Sequence, residues 1–215
     1  MKCDKNDLLL YAVTDRSWLG NRTLTEQVEE ALKGGATIIQ LREKDLDDNA
    51  FLEEAKQIQN ICRQYQAKLI INDNVLVAMK MNADGIHIGQ KDMSMQDAKA
   101  MIGEDKILGV SVQTVEQAML AEQMGADYLG VGAVFPTTSK SDADAVSYEM
   151  LQSICRAVSI PVVAIGGIGV HNISKLADSG IAGVAVISAI FAATDIRQAT
   201  AELKKLAEQV TDYGD

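Results

Sequence analysis

The stretch Lys106-Ile-Leu-Gly-Val-Ser-Val112, then Val115–Met124, then Tyr128-Leu-Gly-Val-Gly-Ala-Val134 holds the architecture in small. The first and third pieces are short and rich in β-branched and other apolar residues, which is the pattern of a buried strand. The middle piece repeats apolar residues at spacings of three and four, the pattern of a helix packed on one face. Thr114 stands where an N-cap belongs and Gly125 where a left-handed stop belongs. Strand, helix, strand with short connections predicts two parallel strands joined by a crossover helix.

Working outward, the same unit recurs along the whole chain. The other apolar runs are Leu8–Thr14, Thr37–Arg42, Lys68–Asp73, Gly85–Gly89, Pro161–Ile168 and Gly183–Ile190. Between them lie amphipathic segments such as Thr25–Lys33, Ala50–Tyr65 and Ser94–Ile102, the last with Ser94 as its expected N-cap. Gly34-Gly35, Gly103 and Gly180 follow helical stretches and are expected stops. Eight strand–helix units in 215 residues predict an α/β fold, a single-domain (βα)8 TIM barrel over residues 1–215. A doubly wound open sheet is the alternative. No linker or low-complexity segment divides the chain.

Composition narrows the class. Residues 1–6 are polar and do not read as a signal peptide, and the apolar stretch Ile181–Ala193 is too short to span a bilayer. The chain reads as soluble. Cys3, Cys62 and Cys155 have no metal-like spacing; Cys62 and Cys155 fall in helical patterns as buried thiols, which suits a reducing cytoplasm. A net charge of −10 argues against nucleic acid and anionic membrane as partners. An anionic substrate would therefore need cations gathered locally, or a metal ion. The sequence leaves the oligomeric state open, and a homo-oligomer is compatible with it.

Polar residues break the strand pattern at the carboxyl ends, where barrels of this class build their sites. On the second strand Ile39 and Leu41 face the helices, so Gln40 and Arg42 point inward, with Lys44 just beyond. An inward Arg at the rim calls for an anion, although a local acid such as Glu43 could take it. Asn72-Asp73 ends the third strand, and Gln90-Lys91-Asp92 follows the fourth. Asp73 and Asp92 thus reach one rim, where two carboxylates suit Mg²⁺; a turn residue and a helix cap are the structural alternatives. His87, between two isoleucines, reads as a structural histidine, and His171 as a helix-start residue. The strand ends Ala164-Ile-Gly-Gly-Ile168 and Val186-Ile-Ser-Ala189 form the expected phosphate site. The connection Phe135–Val146 is long for a strand-to-helix loop and reads as a binding loop.

Taken in order, these residues resemble the thiamin phosphate synthase family. The motifs are Tyr11-Ala-Val-Thr-Asp15, Gln40-Leu-Arg-Glu-Lys44, Asn72-Asp73, Ala83-Asp-Gly-Ile-His-Ile-Gly-Gln90 with Asp92, Gly130-Val-Gly132 with Pro136-Thr137 and Lys140, and Val163-Ala-Ile-Gly-Gly-Ile168. The resemblance implies joining an aminopyrimidine diphosphate to a thiazole phosphate, with Mg²⁺ as cofactor and pyrophosphate released. It implies that Gln40, Arg42, Lys44, Asn72, Ser111 and Lys140 contact the pyrimidine diphosphate. Asp73 and Asp92 would hold Mg²⁺. Thr137, Ser139, Gly167, Ile187 and Ser188 would surround the thiazole phosphate; Ser139 stands where the family usually has threonine. Arg42, Lys44, Lys140 and Ser111 are the expected catalytic set, acting on a departing pyrophosphate, with the long loop closing over the substrates. A related thiazole tautomerase, a catalytically silent relative and a sugar-phosphate epimerase are the competing readings; the two carboxylates favour the synthase.

Overall fold

In the computed structural model, which describes residues 3–137 and 145–211, eight parallel strands pair in chain order and the last closes on the first. They are β1 (Leu10–Val13), β2 (Ile38–Leu41), β3 (Lys68–Asn72), β4 (Gly85–Ile88), β5 (Ile107–Val112), β6 (Tyr128–Val131), β7 (Val162–Ile165) and β8 (Gly183–Val186). The pairing Tyr11↔Ala185 between β1 and β8 joins the two ends of the sheet. Closure removes both sheet edges, which is why the barrel and not the open sheet is the stable arrangement of these units.

Helices cover the outside: α1 (Leu24–Gly34), α2 (Asp48–Gln64), α3 (Val75–Lys80), α4 (Met95–Ile102), α5 (Val115–Gln123), α6 (Tyr148–Ala157), α7 (Ser188–Phe191) and α8 (Ile196–Val210). Ser94 and Thr114 cap α4 and α5 as expected, each accepting from a backbone N–H three residues on. Gly35, Gly103, Gly125 and Gly180 all have positive φ. Gly34 is instead the last residue of α1, where a Cβ would press on Arg197 of α8 at 2.5 Å.

Three sequence expectations are corrected. Leu8 belongs to a 3-10 helix, Lys5–Leu8, and not to β1. That turn lies against the bottom of the barrel, with Asp7 paired to Lys68 at 2.6 Å, and Gly183 lacks the Cβ that would collide with Leu8. The crossover between β7 and β8 carries only a 3-10 turn, Ile173–Leu176. The run from Gly183 to Ile190 splits, because the chain leaves β8 at Val186 and starts α7 at Ser188.

Strand alternation produces two cores. Ile39, Leu41, Leu69, Ile71, Ile86 and Ile88 pack outward against the helices, where full burial contributes roughly 2 kcal/mol per side chain. Tyr11, Ile38, Ile70, Ile107, Tyr128 and Val163 fill the barrel interior. The interior is therefore solid below and opens only toward the carboxyl ends. Among the described residues no helix is long and apolar enough to cross a membrane.

Candidate active site

The carboxyl ends of the strands enclose a cavity of about 390 Å³. Gln40, Arg42, Lys44, Asn72, Asp73, Asp92, Ser111, Thr137, Gly167, Ile187 and Ser188 all line it. Ser139 and Lys140, and with them most of the long connection, lie outside the described residues. The two ends of that connection are tied: Val146 N–H donates to Ala133 O at 2.8 Å, and Phe135 N–H to Gly166 O at 3.1 Å.

On the β2 side the alternation continues past the strand, sending Arg42 and Lys44 inward and Glu43 outward. Arg42 lies 3.7 Å from Asp15, longer than a hydrogen bond, and Glu43 is not its partner. Glu43 instead meets Arg16 at 2.8 Å on the outer side, where Arg16 also holds Glu54 of α2. Burial, together with the neighbouring Glu54 carboxylate, pushes the Glu43 carboxyl up to about 7, and Arg16 pulls against that shift. The inward guanidinium thus keeps a loose acidic neighbour while its sequence neighbour is clamped on the other face.

Asp73 and Asp92 flank the next part of the wall. Asp73 takes φ +60 directly after β3, and its N–H donates to His87 O at 2.9 Å, which turns the chain sharply at the rim. Asp92 accepts from Gly89 N–H at 2.7 Å, so it closes the loop after β4 as well as facing the cavity. No group of three or more acidic, His or Cys ligands exists among the described residues. Two carboxylates at the open mouth of the cavity still match the habit of Mg²⁺, which keeps waters and takes further oxygens from phosphate groups.

Across the barrel, Gly166 and Gly167 have φ of +101 and +64, a left-handed pair that any other residue would strain to adopt. A Cβ at Gly167 would also press into Phe135 and Pro136. Asn172 secures this bend by accepting from Gly169 N–H and donating to Gly167 O, both at 2.8 Å. Beside it α7 begins at Ser188, whose first N–H groups have no carbonyl within the helix to meet. Backbone donors here can receive a phosphate without a bulky side chain in the way.

The floor of the cavity also carries residues that the sequence reading left out of the site. His87 faces the interior, bonded to Tyr128 Oη through Nδ1 and to Ser111 Oγ through Nε2, each at 2.9 Å. Tyr11 bridges Gln40 and Tyr128. Gln90 donates to Ser111 O at 2.7 Å, and Lys91 and Gln113 also line the cavity. The one local signal for Tyr128 is the glycine at position 109 within β5. It lies level with Tyr128, and a Cβ there would overlap the phenol ring.

Residues 10–190 match the family described as Thiamine monophosphate synthase. A thiamine-phosphate synthase of Clostridium tetani is 52% identical over 92% of this chain and 94% of its own length. One from Ruminiclostridium cellulolyticum is 46% identical over 94% and 96%. Among solved structures, the thiamine phosphate pyrophosphorylase of Pyrococcus furiosus superposes with a TM-score of 0.89 at 44% identity, covering 96% of this chain and 98% of that one.

Proposed function

This chain belongs to the thiamine monophosphate synthase family, and from that premise we propose how its barrel mouth carries out the family's reaction. The substrates are 4-amino-2-methyl-5-hydroxymethylpyrimidine diphosphate and 4-methyl-5-(β-hydroxyethyl)thiazole phosphate; the products are thiamin phosphate and pyrophosphate. One observation carries the assignment of roles. Three cations (Arg42, Lys44 and Lys91), two carboxylates and a glycine-lined backbone cradle converge on a single cavity in a chain of net charge −10.

Arg42 and Lys44 bind the diphosphate, with Asn72 beside them and Lys140 joining from the long connection. Gln40 and Ser111 hold the aminopyrimidine. Gly167, Ile187 and Ser188 receive the thiazole phosphate, with Thr137 and Ser139 completing that pocket. Asp73 and Asp92 would hold Mg²⁺, which when bound supplies positive charge to the leaving pyrophosphate.

The reaction asks for little covalent help from the protein. The amino group lets the pyrimidine carry positive charge on its exocyclic methylene, so the carbon–oxygen bond can break before the thiazole nitrogen attacks. What must be stabilised is the departing diphosphate, and preorganised cations at its oxygens act where charge develops. Arg42 and Lys44 sit at that rim before substrate arrives. Low water access around the methylene protects it from hydrolysis, and the closed floor of Tyr11, Tyr128 and Val163 serves this end. The free cysteines agree with a reducing compartment such as the cytoplasm.

The test is thiamin phosphate formation from the two substrates, with Mg²⁺ and then with excess chelator. Product that disappears on chelation is the expected result. A folded protein that makes no product under either condition overturns the proposal. Product undiminished by chelator removes the metal role of Asp73 and Asp92.

A further inference from the structure

Five side chains from five strands form one unbroken hydrogen-bonded chain across the cavity floor. Gln40 Nε2 on β2 donates to Tyr11 Oη on β1 at 2.9 Å. Tyr11 Oη meets Tyr128 Oη on β6 at 2.7 Å. Tyr128 Oη meets His87 Nδ1 on β4 at 2.9 Å, and His87 Nε2 meets Ser111 Oγ on β5 at 2.9 Å. Tyr11 and Tyr128 are almost wholly buried. The space for the two inner rings is left by glycines, since a Cβ at Gly109 would overlap Tyr128 and one at Gly130 would press on His87 at 3.0 Å.

The directions of these bonds are not independent. Each hydroxyl has one proton to give, and a neutral imidazole carries its proton on one nitrogen only. Burial pushes both phenols above their ordinary range, so both stay protonated. Because Gln40 donates to Tyr11, Tyr11 donates its own hydrogen bond to Tyr128 Oη, and Tyr128 donates to His87 Nδ1. His87 is then the Nε2–H tautomer and donates to Ser111 Oγ, leaving the serine proton for the cavity. In this state Gln40 offers the cavity its Oε1 acceptor and Ser111 offers a donor. Turning the Gln40 amide over reverses every link, so that Gln40 offers a donor and Ser111 an acceptor. A chain with mixed directions strands a buried polar group without a partner, which is disfavoured.

We infer that Tyr11, Tyr128 and His87 are positioning residues forming a polarity relay, which makes the donor or acceptor character of Gln40 and Ser111 a single joint choice. The relay itself stands on this geometry; its consequence for specificity rests on the reading that Gln40 and Ser111 hold the pyrimidine. An acceptor at one wall and a donor at the other suit an aminopyrimidine, which presents amine hydrogens and ring-nitrogen lone pairs. A pyrimidine with a carbonyl in place of the amine presents the opposite pattern at that position, and the relay opposes it at both ends together.

The chain contains only two histidines, His87 and His171, so ¹⁵N-histidine labelling reads the relay directly. At about pH 8, where an ordinary imidazole is neutral, the wild type is expected to show His87 as the Nε2–H tautomer. Gln40→Glu presents only acceptors to Tyr11 and is expected to convert His87 to the Nδ1–H tautomer, three hydrogen bonds away. Adding Tyr128→Phe should block that conversion. Should Gln40→Glu not fold, Gln40→Met removes the anchoring donor and should yield a mixture of the two tautomers. An unchanged tautomer in the folded variant, or a conversion that survives Tyr128→Phe, overturns the relay.

The functional arm compares kcat/KM for the aminopyrimidine diphosphate and its 4-oxo analogue. Tyr128→Phe is expected to lower that discrimination by tenfold or more, with KM for the thiazole phosphate little changed. Discrimination equal to wild type overturns the specificity role. If wild type makes no thiamin phosphate while the tautomer moves as expected, the functional reading falls and the relay stands. If it makes product and the tautomer does not move, the relay falls alone.

Discussion

Arg16 and Glu43 meet at 2.8 Å on the outer face of the barrel wall, while their sequence neighbours Asp15 and Arg42 lie 3.7 Å apart on the inner face. Two adjacent residues at the end of β1 thus hold two adjacent residues at the end of β2, one pair on each side. The outer pair is the tighter, and its Glu43 side chain is only 1% exposed although Arg16 reaches solvent. It fixes the backbone from which Arg42 and Lys44 reach the cavity. At about pH 8, where Glu43 is ionised, Arg16→Ala should therefore lower stability by about 3 kcal/mol, because it leaves Glu43 buried without its cation. For a chain of this size that is a fall in Tm of roughly 6–12 °C, measurable by calorimetry. A Tm within about 1 °C of wild type would show that the pair contributes little.

Glu43 also makes stability depend on pH. Its carboxyl is pushed up to about 7 by burial and by Glu54, against about 4.3 in an unfolded chain. Between those values the folded state binds the proton and the unfolded state does not, so stability falls as pH rises. The contribution is complete below about pH 4 and is lost as pH rises through about 7. Urea titrations at several pH values should show this decline, and Glu43→Gln should flatten it. A wild-type decline from pH 5 to 7 no greater than that of Glu43→Gln would contradict the sign.

Gly109 and Tyr128 are complementary in size across β5 and β6. Gly109→Ala places a methyl group inside the phenol ring's volume, and overpacking of a barrel interior costs typically 1–3 kcal/mol. The double variant Gly109→Ala with Tyr128→Leu should recover part of that loss. Additive losses in a double-mutant cycle would mean that the two positions do not compete for space.

At the phosphate cradle, Gly167→Ala strains a left-handed residue and crowds Phe135 and Pro136. The expected outcome is a rise of tenfold or more in KM for the thiazole phosphate, with KM for the pyrimidine diphosphate changed much less. Equal rises for both substrates would remove Gly167 from the thiazole phosphate pocket.

Asp92→Asn removes one of the two carboxylates while preserving the shape that accepts from Gly89 N–H. The Mg²⁺ concentration for half-maximal rate should rise at least tenfold. An unchanged Mg²⁺ requirement in an active variant would exclude Asp92 as a ligand.

Much of the site was legible because alternation along a strand is local. Once β2 is read as a strand, Ile39 and Leu41 must face one way and Gln40 and Arg42 the other. The rim residues Asn72, Asp73 and Asp92 follow from where an apolar run stops, and Gly167 and Ser188 from the small residues at the last two strand ends. They meet at one cavity because every parallel strand ends on the same side of a closed barrel. The start of the first run misled, because a buried Leu8 looks alike in a strand and in a 3-10 turn capping the barrel.

By itself the sequence determined the repeating strand–helix unit, the closed barrel and the inventory of charged side chains at its rim, since periodicity and turn chemistry act over a few residues. The tertiary structure alone decided who meets whom. Glu43 could have paired with Arg42 beside it but is taken by Arg16, 27 residues away. Tyr128 and Tyr11, 117 residues apart, share a hydrogen bond only because barrel closure brings inward-facing side chains of distant strands to one level. Such contacts depend on the register and curvature of the whole sheet, which no short stretch of residues encodes.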